Sequence, residues 1–275
     1  LGSGAYGVVY LGRDDAPEGG DGESRIVAIK ALDKARLRKR RLGITEEQLM
    51  REVDVMKRLR HEHVVSLEEV MEERKGRRDV LYMVQEFMDG GPIMEEDINQ
   101  EPIPEDLLRY YFRQVLRGLE YLHFQRVVHR DIKPSNILVS VDPESGEPTA
   151  KLADFGVAAL VPEGDDTLHD VQGTPAYQAP ELFDEDAGTK GYKGFATDVW
   201  SLGATLYNFA VGSPPLLARN QEELERMARN PRRHLRFTRG MDPHLKNLIR
   251  KMMEPDPKKR PTLADVMRHE WVTME

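Results

Sequence analysis

The sequence predicts an α+β fold of two lobes, a small, mainly β lobe with one main helix followed by a larger, mainly helical one. Three observations carry this. Strand-like apolar runs occupy residues 8–11, 26–31 and 80–87, all in the first third of the chain. Helical spacing dominates beyond residue 104. Between them stands D-G-G-P at residues 89–92, which reads as a flexible hinge.

A glycine-rich stretch leads into the first strand run at 8–11, and the polar turn A-P-E-G-G-D-G-E-S separates it from the second at 26–31. Residues 45–59 are spaced as a helix, with Leu49, Val53, Met56 and Leu59 on one side. Thr45, followed three residues later by Gln48, fits a capping box at its start. The strand at 80–87 closes the small lobe near Met88. In the large lobe the strongest helices are 105–124 and 197–211, and 136–152 reads as a hairpin with the surface turn V-D-P-E-S-G-E-P. The basic run at 36–41 reads as a solvated face.

A chain of 275 residues can bury a substantial core. No apolar run approaches the roughly 20 residues that span a bilayer. The net charge of −8 argues against nucleic acid or an anionic membrane as the main partner. Zero cysteines exclude a disulfide framework, thiolate catalysis and a Cys-ligated zinc site, and they fit a reducing compartment. The expected location is therefore cytoplasmic, with the nucleus open to it. No internal repeat is present. The sequence starts at Leu1, without an initiator Met and already inside a glycine-rich motif, so it is expected to be an excised domain.

Five strings stand out in order. They are L-G-S-G-A-Y-G-V-V-Y at the start, V-A-I-K ending at Lys30, H-R-D-I-K-P-S-N from His129, D-F-G from Asp154 and A-P-E ending at Glu181. Alone, the first is an ordinary Gly-rich hairpin, Lys30 a snorkelling lysine on a strand edge, and the third a charged turn. Together, with Glu52 between the second and third, they resemble the eukaryotic protein-kinase family, and the resemblance spans the whole chain.

The resemblance implies a bilobal kinase domain over residues 1–275, with an N-lobe of about 1–88 and a C-lobe of about 89–275, binding ATP and Mg²⁺. Phosphoryl transfer asks a protein mostly for positioning and charge stabilisation. Gly2, Gly4 and Gly7 would let the backbone approach the triphosphate. Lys30 would hold the α- and β-phosphates, oriented by Glu52. Asp131 would accept or orient the substrate hydroxyl, and Lys133 would neutralise charge on the γ-phosphate. Asn136 and Asp154 would be oxygen ligands for Mg²⁺. Val9, Ala28 and Leu138 would sandwich the adenine, Glu86 and Met88 would offer backbone hydrogen bonds, and Gln85 would guard the back of the pocket. Glu181 with Arg260, and Asp198 beside the catalytic loop, would be structural supports, while Thr174 would contact Asp131 and Lys133.

Lys133 and G-T-P-A-Y-Q-A-P-E resemble the Ser/Thr branch, and Val157 after D-F-G accompanies threonine acceptors. L-Y-M-V-x-E, G-P-I-M-E, D-F-G-V-A and H-E-W-V-T are most similar to the calcium/calmodulin-dependent protein kinase kinases and their relatives, which activate AMP-activated-type kinases. This sequence departs from them at Gln85, where they carry a bulky aromatic, and at 16–25, where they carry a longer insert. Pro92 and Ser135 stand where kinases that prefer basic substrates place carboxylates, so the expected substrate is a protein, the activation loop of a kinase, rather than a basic peptide; the alternatives are a generic calcium- or stress-regulated Ser/Thr kinase and a pseudokinase scaffold. Nothing demands more than a monomer, and calmodulin would act only through a segment outside this sequence. Asp170 occupies the region of the usual loop phosphoacceptor and is expected to give Arg130 a permanent anion. The alternative is a solvated loop aspartate. Thr167 is a further candidate for modification.

Overall fold

The protein was analysed as a computed structural model that describes residues 2–3, 7–15, 24–34, 46–75, 78–95 and 98–274. Gly4, Thr45 and the basic run at 36–41 lie outside the described residues, as do the side chains of Gln48 and Leu49.

The small lobe is an antiparallel sheet. In spatial order its strands are β1 (Gly2–Ser3), β2 (Val8–Asp14), β3 (Arg25–Asp33), β5 (Arg78–Glu86) and β4 (Leu67–Lys75). The expected strands are all present, and β2 and β3 are longer than their apolar runs. β4 was not expected, because L-E-E-V-M-E-E-R-K shows no clean alternation. Its place on the sheet edge explains those charges, which discourage pairing with another chain. The register sets Val9 opposite Lys30, Leu11 opposite Ala28, and β5 residues Met83 and Gln85 opposite Lys30 and Ala28. Directly opposed residues share a face, so Val9, Ala28, Lys30 and Gln85 line one side of the sheet. Helix α1 (Glu46–Arg58) buries Glu52, Val53, Val55 and Met56, and Leu59 follows it into the core.

The D-G-G-P segment is tied to the large lobe rather than loose. Gly90 N–H donates to the Val139 carbonyl at 2.9 Å, and β6 (Gly91–Pro92) pairs with a strand of the hairpin described next. The hairpin falls where the sequence placed it, as β8 (Ile137–Val141) and β9 (Pro148–Leu152). Helix α2 (Glu105–Phe124) matches its expected bounds. The second expected helix begins earlier, as Gly194–Val211, and is buried on almost every side, including Trp200, Leu206 and Tyr207. A helix without a polar face shows weak periodicity, which hid its first turn.

Two short ladders fix the segment after Asp154. β7 (Val127–Val128) pairs with β10 (Ala159–Leu160), and β11 (Thr167–Leu168) pairs with β12 (Tyr192–Lys193). With α3 (Ala187–Lys190) and Gly194–Val211 as α4, the chain continues through α5 (Gln221–Ala228), α6 (Pro243–Met252), α7 (Leu263–Met267) and α8 (Glu270–Thr273). One apolar cluster runs from Leu32, Leu81 and Met83 of the sheet to Leu119 and Trp200 of the large lobe. Among the described residues no helix is long and apolar enough to cross a membrane.

Candidate active site

The centre of the site is an ion triplet between the lobes. Lys30 Nζ donates to Glu52 Oε1 at 2.6 Å and to Asp154 Oδ1 at 3.0 Å. Strand β3 points Lys30 down from the sheet, and the buried face of α1 carries Glu52 to meet it. Burial pulls the Lys30 ammonium down, but the Glu52 and Asp154 carboxylates more than offset it and raise its pKa. The Lys30 charge in turn holds the Asp154 carboxyl below its ordinary value, against desolvation. Lys30 and Asp154 are therefore both charged throughout the neutral range.

The loop from His129 is braced from below by Asp198 on α4, which is fully buried. Asp198 accepts from the backbone N–H groups of His129 and Arg130, each at 2.9 Å, and contacts His123 Nε2 at 2.9 Å. These bonds hold Arg130 at φ +68°, and Asp154 has φ +59°. Left-handed backbone costs free energy in residues other than glycine, and it is retained where the surroundings over-determine it. His129 bridges the two special residues. Its Nε2 lies 3.1 Å from the Ala153 carbonyl, and its ring packs on Phe155.

Asp131 is held at both carboxylate oxygens. Oδ1 accepts from Thr174 N–H at 2.8 Å and Thr174 Oγ1 at 2.7 Å, and Oδ2 accepts from Asn136 Nδ2 at 3.1 Å. Lys133 Nζ lies 3.0 Å from Thr174 Oγ1 and 3.5 Å from Asp131 Oδ2. Thr174 comes this close because Gly173 has φ +99° and a Cβ there would sit 2.2 Å from the Arg130 carbonyl oxygen. The structure thus brings Asp131, Lys133 and Thr174 together as the sequence expected.

The residues expected to face the nucleotide are placed as follows. Val9 and Ala28 flank Lys30 on the sheet, and Leu138 approaches from the large lobe, packed with Val65, Met88 and Ala153. Gly7 lies so close to β3 that a Cβ would meet the Ala31 carbonyl oxygen at 2.3 Å. Gln85 Nε2 reaches Met56 Sδ at 3.2 Å, closing the rear of the cleft against α1. At the two positions expected to offer backbone hydrogen bonds, some backbone groups are already engaged within the protein. Glu86 N–H is engaged by the Ser66 carbonyl at 3.2 Å, and the Met88 carbonyl accepts from Gly91 N–H at 3.1 Å.

The family model for the protein kinase domain matches residues 1–272. This chain belongs to the protein kinase family. It is 35% identical over its whole length to a calcium/calmodulin-dependent protein kinase kinase of Caenorhabditis elegans, covering 52% of that protein. It is 37% identical to serine/threonine-protein kinase GRIK2 of Arabidopsis thaliana over all of the chain and 64% of the relative. A CBL-interacting serine/threonine-protein kinase of Arabidopsis thaliana is 34% identical over 98% of the chain and 56% of that protein. The chain thus spans between about half and two thirds of these relatives; the two from Arabidopsis thaliana are serine/threonine-protein kinases by name, and the first is named a protein kinase kinase.

Protein kinases use ATP and Mg²⁺, and the donor set here fits the ion. Asn136 Nδ2 is committed to the Asp131 carbonyl at 2.8 Å, so its amide oxygen is the atom left for a cation. Asp154 adds a second hard oxygen, 44% exposed. Gly156 leaves open the space beside it, where a Cβ would lie 3.3 Å from Asp154 Oδ1. Among the described residues no cluster of three or more His, Cys, Asp or Glu could hold a metal by itself. Two protein oxygens plus substrate phosphates and water suit Mg²⁺, which dehydrates reluctantly.

The expected supports of the kinase are in place. Arg260, fully buried, pairs with Glu181 through Nη1–Oε1 at 2.7 Å and Nη2–Oε2 at 3.0 Å, and its guanidinium lies over Trp200. Arg130 Nη1 donates to Asp170 Oδ1 at 2.8 Å, and its Nε bonds the Val157 carbonyl. Sequence reading assigned no role to the Glu86 side chain. It accepts from Ser66 N–H at 2.6 Å and pairs with Lys151 at 2.5 Å, tying the interlobe connection to the strand that leads into Asp154. The partners are too far apart in sequence for any local pattern to show the link.

Proposed function

We infer that this kinase transfers the γ-phosphoryl group of ATP to a serine or threonine hydroxyl of a protein, with threonine favoured. The observation that carries the reading is the Asp131 carboxylate, held by Thr174 and Asn136 with Lys133 alongside, while the Lys30–Glu52 pair is already made. Asp131 takes the acceptor proton as the new O–P bond forms and the β–γ bridge bond breaks. Lys133 offsets charge gathering on the transferred group, and Lys30 positions the phosphates behind it. Asn136 and Asp154 would hold Mg²⁺, which when bound neutralises phosphate charge. The glycine-rich segment and the Val9, Ala28 and Leu138 surfaces enclose the nucleotide and exclude water.

The favoured protein substrate is the activation loop of another kinase. Two observations support this. One relative at 35% identity is named a kinase kinase, and Pro92 and Ser135 give a substrate arginine no bidentate carboxylate. Asp170 acts as a standing anion on Arg130, so basal turnover does not wait for loop phosphorylation. The test is labelling of an inactive AMP-activated-type kinase domain, beside its loop Thr→Ala form and a basic peptide. Labelling confined to the loop threonine supports the reading. Preference for the basic peptide overturns it and leaves a Ser/Thr kinase of other specificity.

A further inference from the structure

Residues 229–251 carry eight Arg or Lys against one carboxylate, Asp242, in a chain whose net charge is −8. That carboxylate is committed, since Asp242 Oδ1 caps α6 by accepting from His244 N–H at 2.6 Å and Leu245 N–H at 3.0 Å. Two of the cations are committed as well. Arg229 pairs with Asp184 at 2.7 Å and Glu225 at 2.9 Å, and Arg232 pairs with Glu254 at 3.2 Å. Among the described residues Arg233, Arg236, Arg239, Lys246, Arg250 and Lys251 have no carboxylate partner, and all but the half-buried Lys246 are exposed.

These side chains stand on a firm base. Tyr207, buried on α4, donates through its hydroxyl to the Arg236 carbonyl at 2.9 Å and accepts from Arg236 N–H at 3.0 Å. Its ring packs on Phe237, and the Arg250 guanidinium lies 4.9 Å from the centre of that same ring. Arg236 Nη1 donates to the Arg233 carbonyl at 2.7 Å. A cluster of like charges repels itself, and a solvated face does not need such anchoring. The cluster also adjoins the substrate side of the large lobe. Helix α5, which leads into it, packs on the turns Pro175–Tyr177 and Pro180–Phe183, directly after Thr174.

We propose that this arginine-rich face docks an acidic stretch of the protein substrate, outside the cleft that receives the acceptor residue. The proposal rests on the protein-kinase reading above. Four of the six cations are arginines, whose planar forks bind carboxylates bidentately. A short acidic peptide feels the local patch, within a Debye length of about 8–10 Å, while extended polyanions such as membranes or RNA also meet the overall negative charge. Docking at this face raises the effective concentration of the acceptor near Asp131.

The probe is fluorescein-labelled hexaglutamate, followed by anisotropy between about 50 and 200 mM salt. The kinetic probe is a threonine peptide with a hexaglutamate or a hexaglutamine tail on a Gly/Ser linker. The wild-type kinase should bind hexaglutamate, less tightly at higher salt, and show a KM about five- to tenfold lower for the glutamate-tailed acceptor. R233Q/R236Q/R239Q should lose both effects while kcat for the untailed peptide stays the same. Arg250→Gln, on a different element, should weaken both in part and guards against a folding artefact. Equal hexaglutamate binding by wild type and triple variant overturns the proposal. So does a triple variant that loses only phosphatidylserine vesicles or an RNA oligonucleotide. If no acceptor is labelled, the kinase reading fails, and the anisotropy alone still decides the patch.

Discussion

The Arg130 guanidinium and the Asp170 carboxylate meet at 2.8 Å, joining the loop that carries Asp131 to the segment that delivers Thr174. Tyr192 supports the same contact by donating its hydroxyl to the Asp170 carbonyl at 2.8 Å. One charge on the second segment therefore orients the first. Removing it loosens the placement of Asp131 without touching it.

Asp170→Asn keeps the shape and deletes the charge. Asp170 is half exposed, so the pair contributes at most about 1 kcal/mol, and kcat/KM should fall about two- to fivefold. Phosphatase treatment of the wild type should leave its rate unchanged. Steady-state rates with and without phosphatase check both, and an unaltered rate in Asp170→Asn discards the standing anion.

Glu52→Gln removes the carboxylate 2.6 Å from Lys30. The lysine then loses its orientation toward the phosphates, and kcat should fall about a hundredfold or more. ATP should still raise the melting temperature, because the apolar surfaces around the base are untouched. Rate and thermal-shift measurements on the same preparation separate the two effects.

The Glu181–Arg260 pair is a stability element. Glu181→Gln leaves a fully buried guanidinium without its counter-charge, at a cost of about 3–5 kcal/mol. For a domain of this size that is a drop of roughly 6–12 °C or more in melting temperature. Calorimetry reads it directly, and a shift of a degree or two would show that the pair is not what braces the lobe.

Stability should depend on pH in a defined window. Burial first, against nearby carboxylates, holds His61, His63 and His269 below the ordinary imidazole value of 6.5. Their folded pKa values are depressed, so their contribution is complete above pH 6.5 and is lost as pH falls below it. Asp154, also depressed, adds a second loss only near and below pH 3.8. Lys30 has the opposite sign, with its contribution complete below pH 10.5 and lost above its raised folded value. Urea midpoints should therefore be flat from about pH 7 to 10 and decline below about pH 6.5. His63→Gln should reduce that decline, since His63 is 2% exposed and its Nε2 has no hydrogen-bond partner among the described residues.

Much of the site was legible because its chemistry sits in short strings. Lys30, Asp131, Asn136 and Asp154 are each embedded in a motif, and the structure joins Lys30 to Asp154 and Asn136 to Asp131. Glu52 was legible through the family resemblance, because R-E-V-D-V-M-K-R-L places it in mid-helix before the H-E-H-V-V turn. What the sequence hid is long-range. The Glu86–Lys151 pair spans 65 residues, and Tyr207 clamps Arg236 across 29. The charged edge strand Leu67–Lys75 was missed because edge position, not periodicity, decides its composition. The short helices Gln221–Ala228 and Pro243–Met252 are held by packing and by the caps at Asn220 and Asp242, signals that carry little weight when read alone.

The most direct test of the account is transfer of label from γ-labelled ATP to a protein acceptor, by wild type and by Asp131→Asn in parallel. The geometry around Asp131 predicts phosphoserine or phosphothreonine from the wild type and a rate at least about a hundredfold lower from Asp131→Asn, with ATP binding intact in both. Equal rates from the two proteins, or ATP binding by the wild type with no transfer to any acceptor, would contradict it.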